Sequence, residues 1–418
     1  CSSDLAHQDG DFGTYVYKTT DLGKTWKRLS VNIPPSNSNF ANQIREDPEK
    51  KGLLWLGTDN ALYFSPDDGE SWIRFKHGLP PAPVYGIAIQ KQFNDLVIGT
   101  YGRGIYILDD VTPIREFSEA VQNSKVHLFT PGIAYRFQKV DGIKSKSAFS
   151  DGKNPTYGVS INYFLKESPS DSVHLIVRNV QGRDVQHIVT RGEKGINRTW
   201  WNLRHDDYNF PPLRTKPKGK DWVKLDEHGT RKMFIYDLDI GPGMRPTLVP
   251  PGQYTVILKV GDAELKQSVQ VLKDPNTKSS LDDIQRQYEF GMKIYTGVST
   301  CLSLIDEMEQ VRSRLLEKMK DPKSARWAAP LEQKIYDLEA RIFDVHQTGA
   351  RQDIFRNPAK ILERFLAIAK EGQTASADFP PTDQQQEVYS LLKKRMDDVV
   401  SEFESLKRSL EWKKNNLD

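Results

Sequence analysis

The stretch Thr19-Thr20-Asp21-Leu22-Gly23-Lys24-Thr25-Trp26 recurs later in the chain as Ser65-Pro66-Asp67-Asp68-Gly69-Glu70-Ser71-Trp72. Both copies follow the pattern Ser/Thr-x-Asp-x-Gly-x-Ser/Thr-Trp, and their first positions, 19 and 65, are 46 residues apart. The pairs Ile33-Pro34 and Leu79-Pro80 keep the same spacing. A repeat of about 40–45 residues with strand–turn–strand content is typical of the blades of a β-propeller. The repeat therefore predicts a partial β-propeller at the start of this sequence.

The chemistry of the repeated motif is that of a tight turn. An aspartate side chain bonds nearby backbone N–H groups, and glycine adopts the positive φ that such a turn needs. The hydroxyl after the glycine adds a second bond, and the tryptophan starts the next strand and packs under the turn. A catalytic carboxylate needs a partner across a cleft, which a hairpin tip does not offer, so we assign the motif a structural role. Its positions are Thr19, Asp21, Gly23 and Trp26 in the first copy and Ser65, Asp67, Gly69 and Trp72 in the second.

Several stretches resemble one kind of protein. The two copies resemble the Asp-boxes, also called BNR repeats, of sialidases, sortilin-like propellers and xyloglucanase-like glycosidases. Residues 99–110 resemble the end of the propeller in exported bacterial proteins named "glycosyl hydrolase, BNR repeat". Residues 162–166 and 250–256 resemble the module that follows the propeller there. The resemblance covers the whole chain and implies export to the periplasm, the outer surface or the medium.

Length, charge and hydropathy limit the classes of function. A chain of 418 residues is long enough for roughly two to four domains. The chain has 59 Lys and Arg and 56 Asp and Glu, which gives a net charge of +3. The sequence has no basic stripe, so it predicts no nucleic-acid partner. The sequence contains no run of about 18 apolar residues, so it predicts no membrane span. Cys1 and Cys301 predict neither a disulfide framework nor a zinc site, and we expect no cofactor.

The first residue, Cys1, allows two explanations. A mature lipoprotein begins with cysteine, and the residues that follow make a plausible tether. The number of blades favours the other explanation, because residues 1–112 supply only about two to three blades and a ring needs at least about four. We therefore expect this sequence to be the C-terminal part of a longer protein with several hundred residues upstream.

Periodicity divides the chain into three predicted parts. Residues 1–112 form the partial β-propeller. Residues 123–274 contain short alternating strands punctuated by Gly and Pro, which indicates an immunoglobulin- or fibronectin-like β-sandwich with a long insertion at 205–249. Residues 279–418 have four successive stretches of helical period, which predicts an antiparallel helical bundle. The predicted fold class is thus multidomain, β followed by α.

Two residues in a glycine-flanked loop are the best candidates for contact with a ligand. Tyr101 and Arg103 fall between two predicted strands, where a propeller presents its binding face. A tyrosine ring stacks on a sugar, and an arginine binds a carboxylate through two parallel hydrogen bonds. The alternative is that Arg103 forms an ion pair with Asp109 or Asp110 inside the blade.

Two further groups of polar residues carry potential chemistry. His205-Asp206-Asp207 offers metal-binding side chains, but adjacent residues point in different directions and no second cluster accompanies them, so we predict no metal site. Asp237 and Asp239 fall on one face of an extended segment, where they can form a carboxylate pair. A solvated loop edge is the more ordinary explanation of that pair.

Two functions from different classes follow from this architecture. The first is binding or scaffolding, in which the propeller holds a peptide or glycan ligand and the other parts brace it. The second is glycoside hydrolysis, which the resemblance implies and which needs two carboxylates about 5–10 Å apart across a cleft. We identify no such pair here, so the catalytic residues of a hydrolase would lie in upstream blades. We therefore predict a binding role for this chain and no catalysis by it.

Overall fold

The computed structural model describes residues 9–30, 32–34, 36, 38–76, 78–138, 154–235, 244–373 and 377–417. Antiparallel sheets account for the regular structure up to residue 273, apart from two short helices, and long helices follow from residue 281. The predicted class, β followed by α, is confirmed at this level. Within the described ranges no helix combines the length and the apolar character needed to cross a membrane.

Three sheets of consecutive antiparallel strands open the chain. The first pairs β1 (Tyr17–Lys18) with β2 (Lys27–Arg28). The second has four strands in sequence order: β3 (Ala41–Glu46), β4 (Leu54–Thr58), β5 (Leu62–Ser65) and β6 (Ile73–Phe75). The third has three strands in sequence order: β7 (Val84–Gln90), β8 (Asp95–Thr100) and β9 (Ile105–Leu108).

Two short helices and two larger sheets follow. Helices α1 (Thr112–Glu116) and α2 (Glu119–Asn123) lie mostly between the ranges predicted as propeller (1–112) and as sandwich (123–274). One sheet has the order β10 (Val126–Leu128), β12 (Val159–Leu165), β15 (Gly195–Trp201). The other has the order β11 (Ala134–Arg136), β17 (Ala263–Lys273), β16 (Gly252–Val260), β13 (Val173–Asn179), β14 (Asp184–Thr190).

Contacts group the residues into two compact units. Unit 1 comprises Cys1–Ala134, Gly152–Asn202 and Gln253–Gln270, and unit 2 comprises Tyr135–Asp151, Leu203–Gly252 and Val271–Asp418. The predicted division at 1–112, 123–274 and 279–418 was based on periodicity and stays a prediction about independent domains. The compact units instead follow which parts of the backbone lie close together.

The core of unit 1 explains why β4 is an unbroken apolar stretch. Successive side chains of a strand point to opposite faces. Leu54 and Leu56 pack with Val16, Leu29 and Trp72 on one face of β4. On the other face, Leu53 and Trp55 pack in a second core with Leu62, Val84, Leu96 and Ile98. Because both faces are covered, β4 is buried along its whole length and shows no alternation.

Strand β12 is more buried than its sequence suggests. Residues 159–165 alternate as a half-buried strand would, but six of the seven positions are buried. The apolar positions Val159, Ile161 and Tyr163 belong to the core. The polar positions Ser160 and Asn162 are buried because each hydrogen-bonds the carboxylate of Asp110. Polar side chains in a strand therefore do not guarantee a solvated face when a charged partner covers them.

Unit 2 contains the long helices. These are α3 (Leu281–Lys318), α4 (Pro322–Ile342), α5 (Ile361–Gln373) and α6 (Asp383–Leu417), with a 3₁₀ turn at Arg351–Phe355. Each corresponds to one of the four predicted helical stretches. Helix α3 begins with a capping box, in which Ser280 and Asp283 bond each other's backbone N–H groups.

The long insertion predicted at 205–249 belongs to the core of unit 2. Tyr208, Leu213 and Met233 are buried in one cluster with apolar residues of the four long helices. An isolated antiparallel bridge between Leu213 and Arg231 holds the segment together. The insertion carries no strand or helix among its described residues, so its periodicity gave no signal of this packing.

Candidate functional site

The two copies of the repeated motif adopt the same turn. In the first, Asp21 accepts hydrogen bonds from the backbone N–H of Thr25 at 2.9 Å and from the Thr25 hydroxyl at 2.7 Å. In the second, Asp67 accepts hydrogen bonds from the backbone N–H of Ser71 at 2.8 Å and from the Ser71 hydroxyl. The hydrogen-bonded groups lie within four residues of each other, so the turn is made by the motif itself.

The opening hydroxyl and the glycine complete each turn. Thr19 Oγ1 donates to Asp21 at 2.8 Å and accepts the N–H of Gly23 at 2.8 Å. Ser65 Oγ makes the two equivalent contacts in the second turn, both at 2.8 Å. Gly23 and Gly69 have φ of +89° and +90°, values that residues with a Cβ rarely adopt.

These hydrogen bonds hold both aspartates in the ionised form. The hydroxyl and N–H of Thr25 lower the pKa of Asp21 to about 2. Burial raises the pKa of Asp67, but the hydroxyl and N–H of Ser71 outweigh it, so the pKa lies below its ordinary value. Each carboxylate is thus engaged within its own turn, an arrangement that serves to hold backbone rather than to transfer protons.

The tryptophans of the two motifs have different surroundings. Trp72 is only 7% exposed, and its indole N–H donates to the backbone oxygen of Leu29 at 2.9 Å. Trp26 is 61% exposed, and its indole N–H bonds the backbone oxygen of Gly23 in its own turn at 3.1 Å. The second tryptophan therefore ties its turn to the segment after β2, whereas the first serves only its own turn among the described residues.

A third turn of this type occurs in unit 2 and was missed in the sequence. Asp226 accepts the backbone N–H of Thr230 at 2.8 Å and the Thr230 hydroxyl at 2.8 Å. Gly229 has φ of +73°. The motif here is Asp-x-x-Gly-Thr, with the glycine one position later than in the two repeats. A search for an aspartate followed four residues later by Ser or Thr would have found all three.

The loop predicted to contact a ligand is compact and projects from the ends of two strands. It connects β8 to β9, and the backbone N–H and hydroxyl of Thr100 both bond the backbone oxygen of Gly104, at 3.1 and 2.6 Å. Gly102 and Gly104 have φ of +74° and +83°. The bonds and the glycines fix the backbone of the loop, so its side chains Tyr101 and Arg103 are presented to solvent.

Tyr101 forms an aromatic pair with a neighbouring strand. Its side chain is 76% exposed, and its ring meets the ring of Tyr85 on β7 edge to face at 6.2 Å. Tyr85 is itself 54% exposed and donates its hydroxyl to Asp59 at 3.3 Å. The arrangement is an exposed aromatic surface with a carboxylate at its margin.

Arg103 is not paired within the sheet. Among the described residues it forms no ion pair with Asp109 or Asp110. The Asp110 carboxylate instead accepts hydrogen bonds from Ser160 at 2.6 Å and Asn162 at 2.8 Å. The guanidinium of Arg103 is therefore available to a carboxylate or hydroxyl from outside.

Asp110, which is buried, and Arg198, which is exposed, belong to a polar link that the sequence did not reveal. Arg198 donates to the backbone oxygens of Asp109 at 2.8 Å and Asp110 at 2.9 Å, and to Asn162 at 2.7 Å. Asp110 has φ of +55°, which aspartate tolerates better than most residues. These contacts fasten the end of β9 to β12 and β15. No local pattern announces bonds between residues 36 or more positions apart.

The potential metal-binding residue His205 is part of the core. Burial lowers its pKa to about 4, so the ring is neutral, and its Nε2 lies 3.0 Å from the hydroxyl of Tyr288. Its ring stacks against Tyr288 at 5.8 Å. No cluster of three or more His, Cys, Asp or Glu side chains that could hold a metal ion occurs in the part of the chain that the structure describes.

The two cysteines and the aspartate pair singled out in the sequence differ in whether the structure describes them. Cys1, Asp237 and Asp239 lie outside the described residues. Cys301 is a free thiol that is fully buried in α3, and burial raises its pKa. A protonated thiol with no access to solvent packs as a small apolar side chain.

A second concave region of unit 1 is organised by a buried arginine. A cleft of about 560 Å³ is lined by Lys50, Lys91, Arg115 and eight other residues around α1, together with Glu49. Arg115 donates through Nε to Asp47 at 2.9 Å and through a terminal nitrogen to Glu49 at 2.7 Å. With its charge balanced by two carboxylates, Arg115 braces the wall of the cleft.

A buried charge cluster joins the insertion to α3 and α4 in unit 2. Arg312 donates to Glu309 and Glu332 at 3.0 Å and to Glu339 at 2.6 Å, and all four side chains are buried. Thr215 of the insertion donates its hydroxyl to Glu309 at 2.6 Å. Burial, reinforced by the negative charge of Glu309, raises the pKa of Glu339 to about 8.

Part of this cluster had a signal in the sequence. Glu332, Ile335, Glu339 and Ile342 are spaced by three, four and three residues, so all four fall on one face of α4. Two glutamates on an apolar helical face predict a buried cation as their partner. The partner, Arg312, lies on α3, and its identity required the fold.

Comparisons with known proteins give a distant likeness only. No protein-family model matches the chain, and no curated protein matches it. Two solved structures of an extracellular domain from B. thetaiotaomicron are similar to it, one described as part of a hybrid two-component system and the other as part of a one-component system. Each match has 12% sequence identity and a TM-score of 0.19 and covers 63% of this chain. The chain spans only 34% of the length of those structures.

Proposed function

We propose that this chain is a binding or scaffolding part of an exported β-propeller protein, and that its ligand is a peptide or a glycan. The observation that carries this proposal is the aromatic pair of Tyr101 and Tyr85 beside the unpaired Arg103. An exposed ring held by a neighbouring ring offers a rigid apolar platform at little cost in side-chain entropy. A guanidinium next to it supplies the directional hydrogen bonds that orient a bound carboxylate or hydroxyl.

The finer fold assignment rests on the arrangement of the first three sheets. The sheets β3–β6 and β7–β9 are consecutive blades, and the two Asp-box turns join β1 to β2 and β5 to β6 at equivalent places. A Cβ on Gly57 would lie 2.5 Å from the backbone oxygen of Val84, so β4 and β7 pack backbone to backbone there. Such close approach supports face-to-face packing of adjacent blades.

The remaining parts of the chain serve as supports in this proposal. The sheets formed by β10–β17 act as the β-sandwich and the four long helices as an antiparallel bundle. Asp110 and Arg198 fasten the β9 end of the last blade to the sandwich strands β12 and β15. The link follows the C-terminal end of β9, so it anchors the strand whose other end carries the Tyr101 loop.

The proposal is tested by binding experiments on the purified chain. Panels of oligosaccharides and of peptides are screened, and any ligand found is titrated against Tyr101→Ala and Arg103→Gln. Tyr17→Ala is the matched control, since Tyr17 is a half-exposed tyrosine on β1. We expect each loop variant to weaken binding about tenfold or more and the control to leave it unchanged.

Two outcomes would count against a binding role. Equal affinity of the Tyr101→Ala variant and the unaltered chain would remove the loop as the binding surface. Release of sugar from aryl glycosides, abolished by replacing a named carboxylate, would instead favour glycoside hydrolysis.

A further inference from the structure

A cleft in unit 2 is lined by cationic side chains from three helical segments. It has a volume of about 430 Å³ and is bounded by Arg341 of α4, Lys360 and Arg364 at the start of α5, and Arg395 of α6. No carboxylate lines this cleft among the described residues. We propose that the cleft binds a small oxyanion, namely a phosphate or sulfate group on a small molecule.

Three of the four cations of the cleft lack the carboxylate partners that Arg312 and Arg286 have in the same unit. Lys360, Arg364 and Arg395 form no ion pair with any described residue. Elsewhere in unit 2, Arg312 has three glutamates and Arg286 has two aspartates as partners. Like charges gathered in a concavity repel each other, and a bound anion removes that repulsion.

Arg341 is only partly neutralised. Its guanidinium contacts Glu402 at 2.8 Å, but Glu402 does not line the cleft, and both side chains are about half exposed. Glu363 is a second acid near the cleft, and it is buried with its carboxylate accepting the backbone N–H of Lys360 at 3.0 Å. Burial raises the pKa of Glu363 to about 7, which reduces its negative charge near neutral pH. The net charge facing the cleft therefore stays positive.

The geometry of Arg364 suits recognition of an oxyanion. Its Nε donates to the backbone oxygen of Ala359 at 3.2 Å, which fixes the plane of the guanidinium. Its two terminal nitrogens have no partner among the described residues and can donate together to two oxygens of one group. Phosphate and sulfate groups offer such oxygen pairs among three terminal oxygens, whereas a carboxylate has two, and a phosphate monoester also carries more charge than a carboxylate. Arg395 and Lys360 supply further charge from other segments.

The cleft is tested by isothermal titration of the whole chain with inorganic pyrophosphate and with a sulfated disaccharide. Binding of both would assign a general oxyanion site, and binding of one would identify the source of the oxyanion. Arg364→Gln and Arg395→Gln should each raise the dissociation constant about tenfold. Glu402→Gln should lower the dissociation constant a few-fold, because the substitution removes the carboxylate that pairs with Arg341.

The control separates this site from nonspecific attraction to a basic surface. Arg326→Gln removes an exposed arginine of α4 that does not line the cleft, and binding should be unchanged. The helical circular dichroism of each variant verifies that the fold is retained. Absence of pyrophosphate and disaccharide binding at physiological salt would overturn the proposal. Equal loss of oxyanion affinity in the Arg326→Gln and Arg364→Gln variants would also overturn it. Neither result depends on whether the loop around Tyr101 binds a ligand.

Discussion

The two turns of the repeated motif have the same internal structure but different surroundings. Both hold an aspartate against a hydroxyl and an N–H four residues later, with a glycine near φ +90°. In the second turn Trp72 is buried against Leu29, whereas in the first Trp26 is mostly exposed. The comparison separates what the motif dictates, which is the turn, from what its neighbours add, which is the anchoring of the turn in a core.

The largest expected difference between the turns comes from their tryptophans. Trp72→Ala should destabilise the sheet β3–β6 by about 3–5 kcal/mol, because it leaves a cavity and removes the bond to Leu29. Trp26→Ala should cost less than about 1 kcal/mol, as most surface substitutions do. Amide hydrogen exchange of β4 and β5 measures the local free energy of opening. Equal losses in the two variants would show that Trp72 is not an anchor.

The glycines of the two turns give the next largest contrast. Gly69→Ala places a methyl group 2.6 Å from a methyl carbon of Leu29, and Gly23→Ala meets nothing nearer than a ring carbon of Trp26 at 3.7 Å. Both positions impose the strain of positive φ, which costs about 1–2 kcal/mol, and Gly69 adds an overpacking cost of about 1–2 kcal/mol. Urea unfolding of the two alanine variants should rank Gly69→Ala as the less stable. The reverse order would contradict the packing of Leu29 on the second turn.

The sequence predicted local structure well because its causes are local. Both turns, the strand at Val159–Leu165 and the four long helices depend on residues within one element, and their patterns identified them. The bond between Asp110 and Ser160 spans 50 residues and has no counterpart in periodicity. The same holds for Trp72, whose motif matches that of Trp26 while its burial depends on Leu29. The packing of the insertion into unit 2 was unpredicted because no regular element marks it.

The stability contributed by the charge cluster around Arg312 should change with pH in the opposite direction to the stability contributed by the two turns. The pKa of Glu339 is raised to about 8 in the folded chain, above its ordinary value of 4.5. The neutral form therefore favours folding, and the stability of unit 2 should fall as pH rises from about 4.5 to about 8. Glu339→Gln should reduce this loss of stability by more than about 1.4 kcal/mol, which is the free energy equivalent to a shift of one pKa unit.

The control for this prediction is Glu317→Gln, an exposed glutamate near the end of α3. Urea unfolding at pH 5, 7 and 9, followed by helical circular dichroism, gives the free energy of unfolding for each variant. The control should keep the pH dependence of the unaltered chain. A Glu339→Gln variant that loses as much stability as the unaltered chain between pH 5 and 9 would contradict the raised pKa.

The smallest expected effect is the replacement of the motif aspartates. Asp67→Asn should destabilise the second turn by about 1 kcal/mol at pH 7, because the amide no longer accepts charge-assisted bonds from both groups of Ser71. The pKa of Asp67 lies below its ordinary value in the folded chain, so the carboxylate stabilises the fold above about pH 4. The difference between Asp67→Asn and the unaltered chain should therefore be constant from pH 7 to 5 and shrink as pH falls further.

Asp21→Asn tests whether this behaviour belongs to the motif or to the buried surroundings of the second turn. The pKa of Asp21 is about 2, held down by the same hydroxyl and N–H donors, so its contribution should disappear over the window from about pH 4 to about pH 2. The donors are local in both turns. As pH falls, the free energy of unfolding of each asparagine variant should therefore approach that of the unaltered chain, and the burial of the tryptophan should make no difference to this trend. Urea unfolding at pH 7, 5, 4 and 3 measures the convergence. A gap that widens on acidification for either variant would mean that the carboxylate is not stabilised by its own turn, and the shared chemistry of the two copies would have to be abandoned.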